Sequence, residues 1–254
     1  MKNLRIIITT TSSLIVFTLL TAPIFAQTLP PRGNGLGRGV NQQQRLTNLM
    51  DRGNDAVTQR IDALNDAIAR IQALTRLTDA QKNQVMTTLQ NLLTQLNSLK
   101  TKIDGDTDLP TMRGDVIAIY NKLRVYLLAL PQARIIIAGD RILDVTANMN
   151  ALIAKLQARI NAAGSQASGL TATLTDMQNK VNDANTQAQN AANLVSGLTP
   201  DSGDKTVLDS NKQAIQSARE AIKTANSDLR TGFSDARTIV SGLKALRTSP
   251  TPTK

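Results

Sequence analysis

The chain has 254 residues, with 29 Lys+Arg against 19 Asp+Glu, and it contains no His, Cys or Trp. That composition excludes an imidazole base, a thiol nucleophile, a disulfide, a zinc–thiolate site and an iron–sulfur cluster. Glu220 is the single glutamate, so the other 18 acids are Asp, and an apolar fraction of 41% suffices for a folded but lean core.

Residues 1–26 have the order of a secretory signal peptide. Lys2 and Arg5 open it, Ile6 to Leu20 is mostly apolar, Pro23 breaks any helix, and Ala26 is a small residue before Gln27. The alternative is an uncleaved N-terminal membrane anchor over Ile6 to Phe25, about the length a bilayer needs. The polar run Thr9 to Ser13 weakens a stable span and favours cleavage. Removal of 1–26 lowers the net charge from +10 to +8, since only Lys2 and Arg5 are lost. The expected destination is periplasmic, extracellular or at the cell surface. A chain exported without Cys must be stable through packing alone.

Residues 27–44 hold Pro30, Pro31 and glycines 33, 35, 37 and 39, and read as a flexible leader. A first helix is expected over Gln42 to Arg76, with Val57, Ile61, Leu64, Ile68, Ile71 and Leu74 along one face. Thr78 to Gln81 then form a capping box, in which hydroxyl and side-chain amide satisfy orphan backbone amides. The second helix carries Val85, Leu89, Leu92, Leu96, Leu99 and Ile103 at alternating four- and three-residue steps. A third helix is expected from Pro110 to Leu130, with a kink or break at Pro131. The fourth continues to Ala163, and Gly164 to Gly169 reads as a loop.

The fifth helix spans Gly169 to Gly197 with an unbroken seam from Leu170 to Leu198. After a turn at Pro200 to Gly203, the sixth runs from Asp204 to Leu246, roughly 60 Å at helical rise. A turn centred on Ser202 sets Ala188 against Ile215, Val181 against Ile222 and Met177 against Ala225. Asn211 falls on the seam, where a polar side chain fixes register at some cost in stability. The tail 247–254 alternates Pro and Thr and has nothing to pack. The expected class is therefore all-α: an elongated antiparallel helical bundle of coiled-coil-like hairpins, about six helices behind the signal segment. Residues 45–163 form its first bundle and 169–246 a long αα-hairpin.

Asp104, Asp106 and Asp108 have the alternate spacing that opens a calcium loop, and Asp115 stands at its twelfth position. Leu109 replaces the glycine that such a loop needs at position six. The competing reading is that Asp106, Thr107 or Asp108 caps the third helix. No cofactor other than this calcium is implied. Tyr126 to Gly139 is the most hydrophobic stretch after the signal, and it reads either as buried core or as a concealed membrane-insertion element. The basic surplus is spread over Arg45, Arg52, Arg60, Arg70 and Arg76 and over Arg219, Arg230, Arg237 and Arg247. Such faces are ordinarily just solvated. They also suit a protein partner, an anionic envelope polymer, or non-specific lipid or DNA contact, and the lack of aromatics argues against reading a nucleic-acid sequence.

Enzyme constellations are missing: no G-x-S-x-G elbow, phosphate-binding loop or His-containing triad occurs. Gly33 to Gly37 does not stand between a strand and a helix, so it is no dinucleotide loop. The runs Lys102 to Val116, Arg124 to Leu143 and Ala236 to Leu246 resemble uncharacterised exported helical proteins of bacteria with reduced genomes. That resemblance implies export and a helical fold, and it assigns no functional residue. The expected function is a non-enzymatic, exported helical scaffold or binding protein of the cell envelope. A membrane-active protein that exposes 126–139 and a calcium-stabilised helical module are the alternatives.

Overall fold

The computed structural model describes residues 41–121 and 123–248, and Gln42–Lys254 falls in one compact unit. The signal segment expected over 1–26, most of the leader and most of the tail lie outside the described residues. The fold is all-helical, with no strand among the described residues. In chain order come α1 (Gln42–Gln72), α2 (Asp79–Gly105), α3 (Leu109–Asn121), α4 (Leu130–Ala163), α5 (Thr171–Ser196) and α6 (Lys205–Thr248). A π-helical turn, Val125–Ala129, leads into α4, and a 3₁₀ segment, Gly164–Leu170, joins α4 to α5.

Local chemistry sets the helix starts. Thr78 caps α2 with both halves of a capping box: its hydroxyl accepts from the Gln81 N–H, and its own N–H donates to Gln81 Oε1 at 3.1 Å. Asp204 caps α6 through the N–H groups of Thr206 and Val207.

The expected third helix is shorter than the sequence suggests, and the break is not at Pro131. It falls at Arg124, whose φ of 48° and ψ of 28° are left-handed. Pro131 lies in the first turn of α4, where a missing amide costs little. The preceding π turn is closed by the Leu130 N–H on the Val125 carbonyl, and its wider spacing makes room for the proline ring. The glycine-rich stretch after Ala163 is likewise not irregular. Gly164 takes a positive φ of 62° to end α4, and the chain then coils tightly into α5.

Two clusters share α4. Its first half also meets α1 and α2 and its second half meets α6, while α5 runs along both, with Gln132 against Val195 and Gly139 against the Ala188 carbonyl. In the first cluster α1 buries Val57, Leu64, Ala67 and Ile71, while Ile61 and Ile68 of the expected seam are only half-buried, and α2 buries its whole seam from Val85 to Ile103. In the second, α5 contributes Leu174, Met177, Val181, Ala184, Ala188, Ala191 and Val195, all sealed from solvent. The alanines let α6 come close, and Gly232 approaches until a Cβ there would stand 3.8 Å from the Met177 carbonyl oxygen.

The register of α5 on α6 differs from the one a tight turn at Ser202 implies. Lys180 Nζ pairs with Asp228 at 3.2 Å, and Gly232, not Ile222, faces Val181. The displacement is roughly two helical turns. Its cause is the linker 197–204. Instead of reversing at once, the linker is held alongside the first turns of α6, where Asn211 Nδ2 donates to the Thr199 carbonyl at 2.8 Å.

Candidate functional site

The close approach of α5 and α6 leaves a groove on one flank, about 940 Å³ in volume. One wall is Gln187, Asn190, Asn193 and Leu194 of α5, each beside the buried alanine seam. Opposite stand Gln213, Gln216, Ser217, Glu220, Ala221 and Thr224 of α6. Every side-chain amide offers a carbonyl acceptor and two N–H donors, so it can pair with both the N–H and the C=O of a peptide group. Glu220 is the one charged group in the lining, and Lys223 lies 3.5 Å from its carboxylate. Leu194 is 41% exposed and forms an apolar step in the wall. The groove is tied to the first cluster by Gln81 Nε2, which donates to Asn193 Oδ1 at 2.7 Å.

Beside the groove the linker is clamped by buried polar groups. Gln132 of α4 is fully buried, and its Nε2 donates to the Val195 carbonyl at 2.6 Å, serving the unpaired end of α5. Arg124 Nε donates to Asp201 Oδ2 at 2.9 Å, with the two side chains 17% and 2% exposed. Asp201 Oδ1 also accepts from the Gly203 N–H at 2.8 Å. Burial pushes the Asp201 carboxyl up, but the Gly203 N–H and the Arg124 guanidinium outweigh it and hold it below the ordinary value. Ser202 and Gly203 both take positive φ, and the Asp204 N–H closes this turn on the Asp201 carbonyl. The clamp fixes where α6 starts and so which residues face each other across the groove.

The four acids of the expected calcium loop are divided. Asp104 turns to α1, where Asn54 Nδ2 donates to it at 2.7 Å and Lys100 lies 3.3 Å away. That Asn54 bond, more than Lys100, lowers its pKa. Asp108 caps α3, accepting from the Thr111 N–H at 3.0 Å and hydroxyl at 2.8 Å, which also lowers its pKa. Asp106 keeps Oδ2 buried with no hydrogen-bond partner. Burial first, and then the charges of Asp115 and Asp108, raise it. No group of three or more acids with metal-holding geometry occurs among the described residues.

The hydrophobic stretch 126–139 lies mostly in the junction between the two clusters. Ala129, Ala133 and Ile136 are sealed, whereas Tyr126 and Leu127 are 46% and 50% exposed. No helix among the described residues is long and apolar enough to cross a membrane. Arg60 does not belong to a solvated face. It is buried, with its guanidinium 4.6 Å from the Tyr120 ring centre and 4.8 Å from that of Tyr126. Burial lowers its pKa, against the pull of the two tyrosines.

The groove and the clamp escaped the sequence reading. A usable signal existed: Gln187, Asn190 and Leu194 step by three and four beside the alanine seam, an amide stripe adjoining a core stripe. Comparison with protein-family models, with curated proteins and with solved structures finds no match.

Proposed function

We propose that the chain is an exported, non-enzymatic helical scaffold of the cell envelope, an elongated antiparallel bundle of about six helices behind a cleaved signal, which binds a protein partner in the groove between α5 and α6. The groove lining carries this reading. Amides on both walls match the donors and acceptors of an extended polypeptide, and Leu194 offers an apolar anchor. The absence of His and Cys and the leading apolar segment agree with it. A photo-crosslinking residue at Leu194 or Gln216 should capture one defined envelope protein, while the same residue at exposed Ala154 of α4 captures none. Equal capture at all three positions would defeat the proposal.

Calcium is a second reading, favoured by the partnerless Asp106 Oδ2 near Asp108 and Asp115. It requires millimolar calcium to raise the melting temperature above that in chelator; equal melting temperatures remove it.

A further inference from the structure

The outer face of α6 carries a second, separate surface. Arg219, Lys223, Arg230, Arg237, Lys244 and Arg247 are all exposed and recur at heptad-related steps along one line of the helix. Phe233 and Val240 lie on the same line, 45% and 36% exposed, each with cations three and four residues away. From Arg219 to Arg247 the line is about 42 Å long.

The acids of α6 do not offset this charge. Asp228 is turned to Lys180 of α5, and Asp235 lies against Asp176 with its Oδ2 buried. Glu220 meets only the first end of the line, near Lys223. Among the described residues, Arg219, Arg230, Arg237 and Arg247 form no ion pair. α4, packed beside α6, carries exposed Lys155 and Arg159 over residues 145–163 and no acid. The acids Asp176 and Asp183 belong to α5, where both act on Lys180.

We propose that this face docks on an anionic phospholipid bilayer. Cations alone would suit any polyanion. Two apolar side chains set in line between them suit a partner with anions at its surface and hydrocarbon directly beneath. The arginine and lysine stems reach the phosphates while Phe233 and Val240 enter the acyl boundary. Contact is peripheral, with the helix lying in the interface and nothing spanning it. This surface is independent of the groove and of any partner held there.

The test uses the chain from Gln27 onward, which retains the whole unit Gln42–Lys254. It is sedimented with vesicles of phosphatidylcholine alone, or of phosphatidylcholine and phosphatidylglycerol in equal parts. Binding to the anionic vesicles only is expected. The variant Arg230→Gln/Arg237→Gln/Arg247→Gln should partition about a hundredfold less, at roughly fivefold per cation. Phe233→Ser/Val240→Ser should partition about tenfold less. Both variants should melt with the parent, since the replaced side chains are exposed. Unchanged binding in the arginine variant overturns the proposal. So does loss in that variant alone, with inorganic polyphosphate bound as tightly as vesicles, which identifies a soluble polyanion as the partner. Binding abolished by Leu127→Asp instead would move the contact to the π turn and overturn it as well.

Discussion

Single polar side chains hold this fold at its junctions. Asp140 of α4 accepts from the backbone N–H groups of Arg76 at 2.6 Å and Leu77 at 2.9 Å, so it closes the α1–α2 loop from another helix. Arg124 and Asp201 do the same for the linker before α6. Asp201→Asn leaves the buried guanidinium without its counter-charge and should cost about 3 kcal/mol of stability, read by urea unfolding. The sign of its pH dependence follows from the lowered carboxyl pKa. The contribution is complete above the ordinary carboxylate range and is lost as pH falls through the depressed folded value. The gap between parent and variant should therefore close in acid; a gap constant with pH refutes the assignment. These anchors were not legible in the sequence, because their partners lie far off in it: Asp140 serves residues 63 and 64 positions away, and Arg124 one 77 positions away. Periodicity reports the face of a residue's own helix and is silent about such reach.

Helices are where the sequence was most readable. The α2 seam from Val85 to Ile103 is buried as its spacing requires, Val57, Leu64 and Ile71 of α1 are buried with Ile61 and Ile68 only half so, and the capping box at Thr78 is formed on both sides. Errors arose where two rules compete. Proline ordinarily breaks a helix, but Pro131 sits in a first turn, and the break moved to Arg124. Short glycine-containing turns ordinarily set hairpin register, but the clamped linker displaced it. Glycines inside helices separate intrinsic propensity from packing. At Gly114, mid-α3, an added Cβ meets nothing within 4 Å. Gly114→Ala should stabilise the protein by about 1 kcal/mol. At Gly53 the added Cβ would stand 3.0 Å from Val116 Cγ2 and 3.3 Å from Ile103 Cδ1. Gly53→Ala should lose that gain and lower stability by about 1 kcal/mol. Thermal melts of the two variants moving in the same direction would contradict this account.

Across the whole molecule, α4 gives the two clusters a common element, so they should unfold together. Ile153 lies buried in the second half of α4, while Tyr120 and Tyr126 surround Arg60 in the first cluster. Ile153→Ala should cost about 3 kcal/mol. The loss should shift the tyrosine-fluorescence transition and the circular-dichroism transition by the same amount. Separated transitions would mean that the clusters melt independently. Candidate surfaces were less legible at this scale than the helices. The basic faces were visible as composition, but Arg60 proved to be internal, and only packing shows which acids of α6 turn toward α5.

A stiff rod that carries α5 along its length, the α1–α2 loop at Asp140 and α6 near Met149 also behaves as a lever. A ligand that tilts the Leu130 end of α4 by about 5° would swing the Ala163 end, about 50 Å away, by about 4 Å. Such a swing would carry the 3₁₀ segment and the Leu170 side chain seated against Gly242. Strain received at one extremity would therefore be delivered at the other as motion, without any hinge between them.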